Sequence, residues 1–238
     1  MHVQTLKTLS GQIKIKIPTN LNEVTLGQMI AAQNFVEEDN EFHPLVPELT
    51  KQISDNIINI QQRYDVQERL LSLMHQLKYC YEDKKIPEYI TIGTKQVKRL
   101  WWLKNVPNRI KVITNLSIEP AGAYLSSRDL IVDEINKHIA IYGEDEWQAN
   151  FMPSLDTCAG ILANYFYCPI TGKLWNEQMA EDFKSEILKL SIQDTLPIAR
   201  FFFHHWKELY KPKMSLWLRC KLIWNERQVY RNLRNSNL

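Results

Sequence analysis

The sequence predicts a mainly α protein: a helical domain with a small N-terminal α+β element holding a short sheet of two or three strands. Three observations lead there. Apolar residues recur at helical spacing through most of the chain, strand patterning is limited to a few short runs, and only 7 glycines occur among 238 residues. So few glycines disfavour many-turned β-sandwiches and glycine-loop phosphate binders, and they favour helices. A composition of 45% hydrophobic and 24% charged residues is that of an ordinary globular chain, long enough to bury a substantial core. The expected organisation is an N-terminal α+β/helical region over 1–150 and a C-terminal aromatic-rich helical region over 151–238, or one continuous domain.

Isoleucines alternate with lysines over Ile13–Ile17, a period of two that reads as a half-buried or edge strand with its lysines in water, ended by Pro18. Thr25 with Gln28 three residues on is a capping-box pattern that opens a helix through about Val36, followed by an acidic loop over Glu37–Glu41. Leu49, Ile53, Ile57, Ile60 and Tyr64 make one helical stripe. After an Asp65/Glu68 capping box, Val66, Leu70, Leu73, Leu77 and Cys80 make another, so a short antiparallel helical pair is expected. Tyr89–Ile92 before Gly93 and Ile110–Ile113 after Pro107 read as strands able to join the first one in a small sheet.

The pattern then returns to helices. One runs from about Arg128 to Ala140, with an acidic turn at Glu144–Glu146 behind it, and Ser154 is the N-cap of another that ends near Cys168 and Pro169 with a turn at Thr171 and Gly172. Asn176 caps a helix from Glu177 to about Leu188, and Ser191 with Asp194 opens the next. There Leu196, Ala199, Phe203, Trp206 and Tyr210 fall on one side while Ile198, Phe201, Phe202, His205 and Leu209 cover a second. A helix apolar on two sides is a central helix or half of an interface. Pro197 inside it requires a position in the first turn or a kink. A last helix is expected from about Ser215 to Asn232.

Chemical motifs are sparse. Cys80, Cys158, Cys168 and Cys220 form no C-x-x-C pair, which gives a zinc site or a redox dithiol no support and favours buried free thiols. Gly172-Lys173 lacks the upstream glycine and the following hydroxyl of a phosphate loop, because Tyr167 and Leu174 stand there. His204 and His205 have no H-E-x-x-H context, no serine sits in G-x-S-x-G, and Cys158 and Cys168 lack a neighbouring positive charge. No catalytic residue, metal site or cofactor is therefore expected. The N-terminus lacks a signal peptide's charged and apolar regions and no run approaches eighteen apolar residues, so a soluble protein of a reducing cytoplasm, with no membrane partner, is expected.

Contact residues are the remaining candidates. Trp101 and Trp102, between Lys98-Arg99 and Lys104, suit base stacking or protein docking, against the alternative that one of them faces the core. From Lys211 onward Lys211, Lys213, Arg219, Lys221, Arg227, Arg231 and Arg234 face only Glu226. Arg227, Arg231 and Arg234 share a stripe, and Trp217 and Trp224 form another side. Such a basic helix end can complement its own dipole, an acidic protein or a nucleic-acid backbone.

Ile15-Lys16-Ile17-Pro18-Thr19, then Glu23-Val24-Thr25-Leu26-Gly27-Gln28, then Ala159 to Tyr167 with Pro169, and finally Leu196-Pro197 before Phe201-Phe202-Phe203, recur in an order that resembles tailed-bacteriophage tail assembly chaperone-like and virion structural proteins. The resemblance spans most of the chain in short blocks. It implies a non-enzymatic assembly factor or a neck, ring or tail component, present in many copies, acting on other phage structural proteins in the host cytoplasm or within the virion. Tail assembly chaperones are often acidic and smaller, whereas this chain ends in a basic helix, so a packaged or nucleic-acid-binding role through that helix is the alternative. Phe201, Phe202 and Trp206 join the four tryptophans above as candidate contact residues, because aromatic and arginine side chains dominate binding hot spots; between the two sets the basic, tryptophan-bearing helix is favoured as the outward contact, with Phe201-Phe202-Phe203 as its supporting core.

Overall fold

The computed structural model describes residues 1–35, 42–83, 85–99, 102–114 and 120–205. The chain is mainly α with a small N-terminal β element, and Met1–His205 forms one compact unit, so a boundary at 150/151 falls inside it. Strand β1 (His2–Thr8) pairs antiparallel with β2 (Gly11–Ile17), and Leu6, Ile15 and Ile17 are fully buried while Lys14 and Lys16 face water, as the alternation predicts. Strand β1 alternates in burial in the same way, with Leu6 and Thr8 buried and Val3, Thr5 and Lys7 exposed, although its sequence does not alternate apolar with polar residues; its pairing with β2 brings Leu6 to the core side.

A single 3₁₀ turn (Leu21–Glu23) leads to helix α1 (Leu26–Gln33). Its capping box is complete: the Gln28 N–H donates to Thr25 Oγ1 at 3.2 Å and the Thr25 N–H to Gln28 Oε1 at 3.0 Å. The helix ends at Gln33 with Asn34 as its C-cap, short of Val36; the acidic stretch 37–41 lies outside the described residues.

Strands β3 (Phe42–His43) and β4 (Val46–Thr50) form a second hairpin, followed by the short helix α2 (Lys51–Asp55) and then α3 (Ile60–Asp83). The antiparallel helical pair expected here is replaced by one long helix, with Leu49 in a strand. The reason is tertiary pairing: the Leu9 N–H donates to the Asn56 carbonyl at 3.0 Å and the Ile58 N–H to the Lys7 carbonyl at 2.9 Å, which holds residues 56–58 against the end of β1. Asp65 and Glu68 consequently sit inside α3, whose start is marked by Asn59 accepting from the Gln61 N–H at 3.0 Å.

Among the described residues, strands β5 (Tyr89–Arg99) and β6 (Trp102–Lys111) pair only with each other, so the three hairpins are three separate two-stranded sheets and not one small sheet. Their register shifts between Thr91 and Thr94, where Gly93 at φ 63° supplies the left-handed residue of a bulge. Pro107 is tolerated in β6 because a two-stranded ribbon leaves an edge free.

Helices α4 (Ala121–Glu146), α5 (Leu155–Thr171), α6 (Glu177–Ile187) and α7 (Ile192–His205) complete the unit. Helix α4 begins seven residues ahead of the expected start, and Gly143 (φ 83°) breaks its geometry just before the acidic turn. Ser154 and Asn176 are N-caps as predicted, accepting from the Thr157 N–H at 3.3 Å and the Met179 N–H at 3.1 Å. Helix α5 passes through Pro169 to end on Gly172, whose left-handed backbone (φ 67°) lets its N–H return to the Cys168 carbonyl at 2.9 Å.

Helix α7 is the central helix of the unit. Ile192, Thr195, Leu196, Ile198, Ala199, Phe202 and Phe203 are buried on both of its sides, and α1, the 3₁₀ turn, α3 and α5 all pack against it. Pro197 lies in its second turn, where it cannot donate to the Gln193 carbonyl. Two main-chain bonds fix α7 and α6 to α1: the Leu26 N–H reaches the Leu190 carbonyl at 2.8 Å and the Gly27 N–H the Leu188 carbonyl at 2.9 Å. Truncating Phe202 to Ala should remove about 3–5 kcal/mol of stability, read as a fall in the denaturant midpoint at unchanged slope.

Candidate functional site

Polar chemistry inside the unit concentrates where α4 meets the start of α5. Glu134 is 3% exposed. One of its oxygens accepts from the Ser154 N–H at 2.6 Å, and the other accepts from the Thr157 hydroxyl at 2.9 Å. The Ser154 hydroxyl donates to Thr157 Oγ1 at 2.8 Å while accepting from the Thr157 N–H, and Lys137 Nζ stands 3.6 Å from the carboxylate. A carboxylate set against the free N–H groups of a helix N-terminus is favoured both by hydrogen bonding and by the helix dipole.

One turn further along α4 is His138, so serine, histidine and glutamate lie close together. Their wiring is structural. The two imidazole nitrogens are engaged by backbone carbonyls, Nδ1 with Glu134 O at 2.9 Å and Nε2 with Met152 O at 3.0 Å, and the ring packs on Phe151 at 4.8 Å between centroids. A nucleophile–base pair needs a hydrogen bond between hydroxyl and imidazole; here the Ser154 hydroxyl turns to Thr157 and Glu134 instead. The cluster staples α5 and the loop before it onto α4.

Cys158, one turn into α5, is fully buried, and burial pushes its thiol up, with the Glu134 charge adding to that. Burial likewise raises the Tyr81 hydroxyl, with Cys158 reinforcing and Arg200 opposing the shift. A thiol held protonated is neither a nucleophile nor a metal ligand. Cys80 is buried and Cys168 half-buried, so two of the three described cysteines match the expectation of buried thiols; Cys220 lies outside the described residues.

The contact residues expected from sequence separate into three groups. Phe201 (8% exposed) and Phe202 (1%) are inside, in line with the supporting-core reading and against their use as contact surface. Phe202 packs on Tyr165 at 5.1 Å and on Phe201 at 5.5 Å between centroids, because both sides of α7 are covered. Trp102 is the first residue of β6. Trp101, Trp206, Trp217, Trp224, Arg219, Lys221, Arg227, Arg231 and Arg234 lie outside the described residues, as does the helix expected over 215–232.

A surface that the sequence reading missed lies on α3. Val66, Leu73, Leu77 and Cys80 bury one face, while Ile60 (69% exposed), Tyr64 (63%), Leu71 (61%) and Met74 (38%) line another at positions i, i+4, i+11 and i+14. That spacing is legible, but the sequence groups Ile60 and Tyr64 with Leu49, Ile53 and Ile57 on the stripe of a separate helix. Among the described residues, no helix is long and apolar enough to cross a membrane.

No protein-family model matches the chain, and no curated protein or solved structure matches it either.

Glu134→Ala should cost about 3 kcal/mol, because it strands the Ser154 N–H and the Thr157 hydroxyl at the start of α5; Glu134→Gln should cost less, since its amide oxygen still accepts. Chemical denaturation of the two variants checks the order. In the native protein Cys158 should resist iodoacetamide while half-buried Cys168 is modified faster, and peptide mass spectrometry after brief alkylation reads the difference.

Proposed function

We propose that this chain is a non-enzymatic assembly or structural protein of a tailed bacteriophage, a tail or neck component, ring protein or tail assembly chaperone acting through protein–protein contacts. The phage setting rests on the ordered blocks from Ile15 to Phe203. The observation that carries the contact reading is the exposed apolar stripe of α3, Ile60, Tyr64, Leu71 and Met74, on a helix whose other face is already buried in the core. A helix with two apolar faces and one covered has contact surface to spare.

Charge around the stripe supports a second copy of the chain as the first partner. In heptad terms Tyr64 and Leu71 occupy a positions and Ile60 and Met74 d positions, which puts Arg63 at g and Glu68 at the following e. A parallel pair of α3 helices brings Arg63 of one copy toward Glu68 of the other, five residues on. Among the described residues, Arg63 pairs with Asp55 at 3.2 Å in an exposed ion pair, which is worth little and readily exchanged.

Light scattering behind a sizing column tests this. Wild-type chain should run above its 28.1 kDa monomer mass, and Tyr64→Ser with Leu71→Glu should return it to that mass with unchanged circular dichroism. A wild-type monomer that also captures no co-expressed phage tube or tape-measure subunit overturns the reading.

A further inference from the structure

The β5–β6 hairpin concentrates positive charge that the whole-chain balance conceals. Between Tyr89 and Lys111 stand Lys95, Lys98, Arg99, Lys104, Arg109 and Lys111 with no acidic residue, so six of the 29 basic residues and none of the 27 acidic ones lie there. Elsewhere the chain holds 23 cations against 27 anions. A ribbon with a net charge of +6 on an otherwise mildly acidic protein is a directed electrostatic feature and not an average surface.

Its placement is equally directed. The base is anchored: Ile90, Ile92 and Val112 are buried, and the Tyr165 hydroxyl donates to the Ile113 carbonyl at 2.6 Å. Beyond the Gly93 bulge Thr94, Lys95, Gln96, Lys104, Asn105 and Pro107 are exposed, so the ribbon leaves the body there. Strand alternation puts Lys104 on one face of β6, and Arg109 and Lys111 on the other. Among the described residues, Lys95, Lys104 and Lys111 have no ion-pair partner, and Arg109 lies over the Tyr89 ring at 4.2 Å. From Thr94 to Arg99 the free part runs for about 20 Å.

We infer that the β5–β6 hairpin is a nucleic-acid-binding arm that takes the polyphosphate backbone of a DNA or RNA strand between the cations of its two faces. A two-stranded ribbon fits the major groove of a duplex, and cations on both faces meet phosphates on both walls. In the sequence Trp101 and Trp102 stand between Arg99 and Lys104, and indoles beside cations can stack on unpaired bases or wedge between base steps. An acidic protein needs no such pair of indoles beside its cations; a nucleic acid uses both features. The hairpin and the α3 stripe lie on different elements.

Fluorescence anisotropy of the full chain tests it, with a labelled mixed-sequence duplex of about two helical turns and a single strand of the same length as probes. Binding should weaken steeply between about 50 and 200 mM salt, and replacing Lys95, Lys104, Arg109 and Lys111 together with Gln should flatten the logarithmic salt slope by about 3–4. Single changes Lys95→Gln and Lys104→Gln should each flatten it by about 1, which keeps the test usable if the fourfold variant folds poorly. Replacing Arg227, Arg231 and Arg234 with Gln should leave that hairpin-dependent part in place. Preference for the duplex identifies groove binding, and preference for the single strand, with about tenfold loss on Trp101→Ala or Trp102→Ala, identifies stacking. Folded hairpin variants that bind both probes like the wild type, no binding at the lower salt, or displacement of the probes by polyglutamate at equal charge overturn the inference.

Discussion

Helix α7 is apolar on two sides, and the rest of the unit is arranged to cover it. Burying one face of a helix takes one neighbour; burying two takes a ring of them, which here comprises α1, the 3₁₀ turn, α3 and α5. The N-terminal and C-terminal parts of the chain therefore share a core, although about 170 residues separate the Leu21 carbonyl from the Ser191 hydroxyl that donates to it at 3.3 Å. Thr195, fully buried within α7, returns its hydroxyl to the Ser191 carbonyl at 3.0 Å, so even the polar group on the packed side is satisfied inside the helix.

A core assembled from distant segments shifts the burden of helix capping to tertiary partners. The first N–H groups of α1 reach the carbonyls of Leu188 and Leu190, and the start of α5 is met by the carboxylate of Glu134 from α4. Each contact satisfies a helix end and also fixes how two elements dock. The same arrangement accounts for the chemistry around Ser154: a hydroxyl, an imidazole and a carboxylate come together because a buried helix N-terminus needs acceptors and an irregular segment before it needs donors.

Local signals in the sequence were the most legible. The capping box at Thr25 and Gln28, the N-caps at Ser154 and Asn176, and the alternation at Ile13–Ile17 are decided by groups within a few residues of one another, and each stands in the structure. The two-sided character of α7 was legible for the same reason. What the sequence did not disclose was set at long range. Residues 56–58 leave helical spacing because their main chain bonds to β1, and Ile60 and Tyr64 face water because α3 turns another side to the core. Periodicity reports that a face exists, not which of two faces is covered. The hairpin was read as two short strands since Gly93 and Pro107 are ordinary stop signals, and a bulge with an open edge let both strands run through them.

The two proposed surfaces differ in kind, and that difference follows from how charge and apolar area are distributed. The α3 stripe is apolar with sparse flanking charge, so contact there is driven by removing side chains from water and responds little to salt. The β5–β6 ribbon is exposed, basic and devoid of acidic residues, so contact there is driven by release of counterions from a polyanion and collapses as salt rises. Placing both on one face would make each interfere with the other, because a buried apolar interface disfavours unpaired cations. Their separation on different elements of one compact unit means that occupation of one surface need not displace the other.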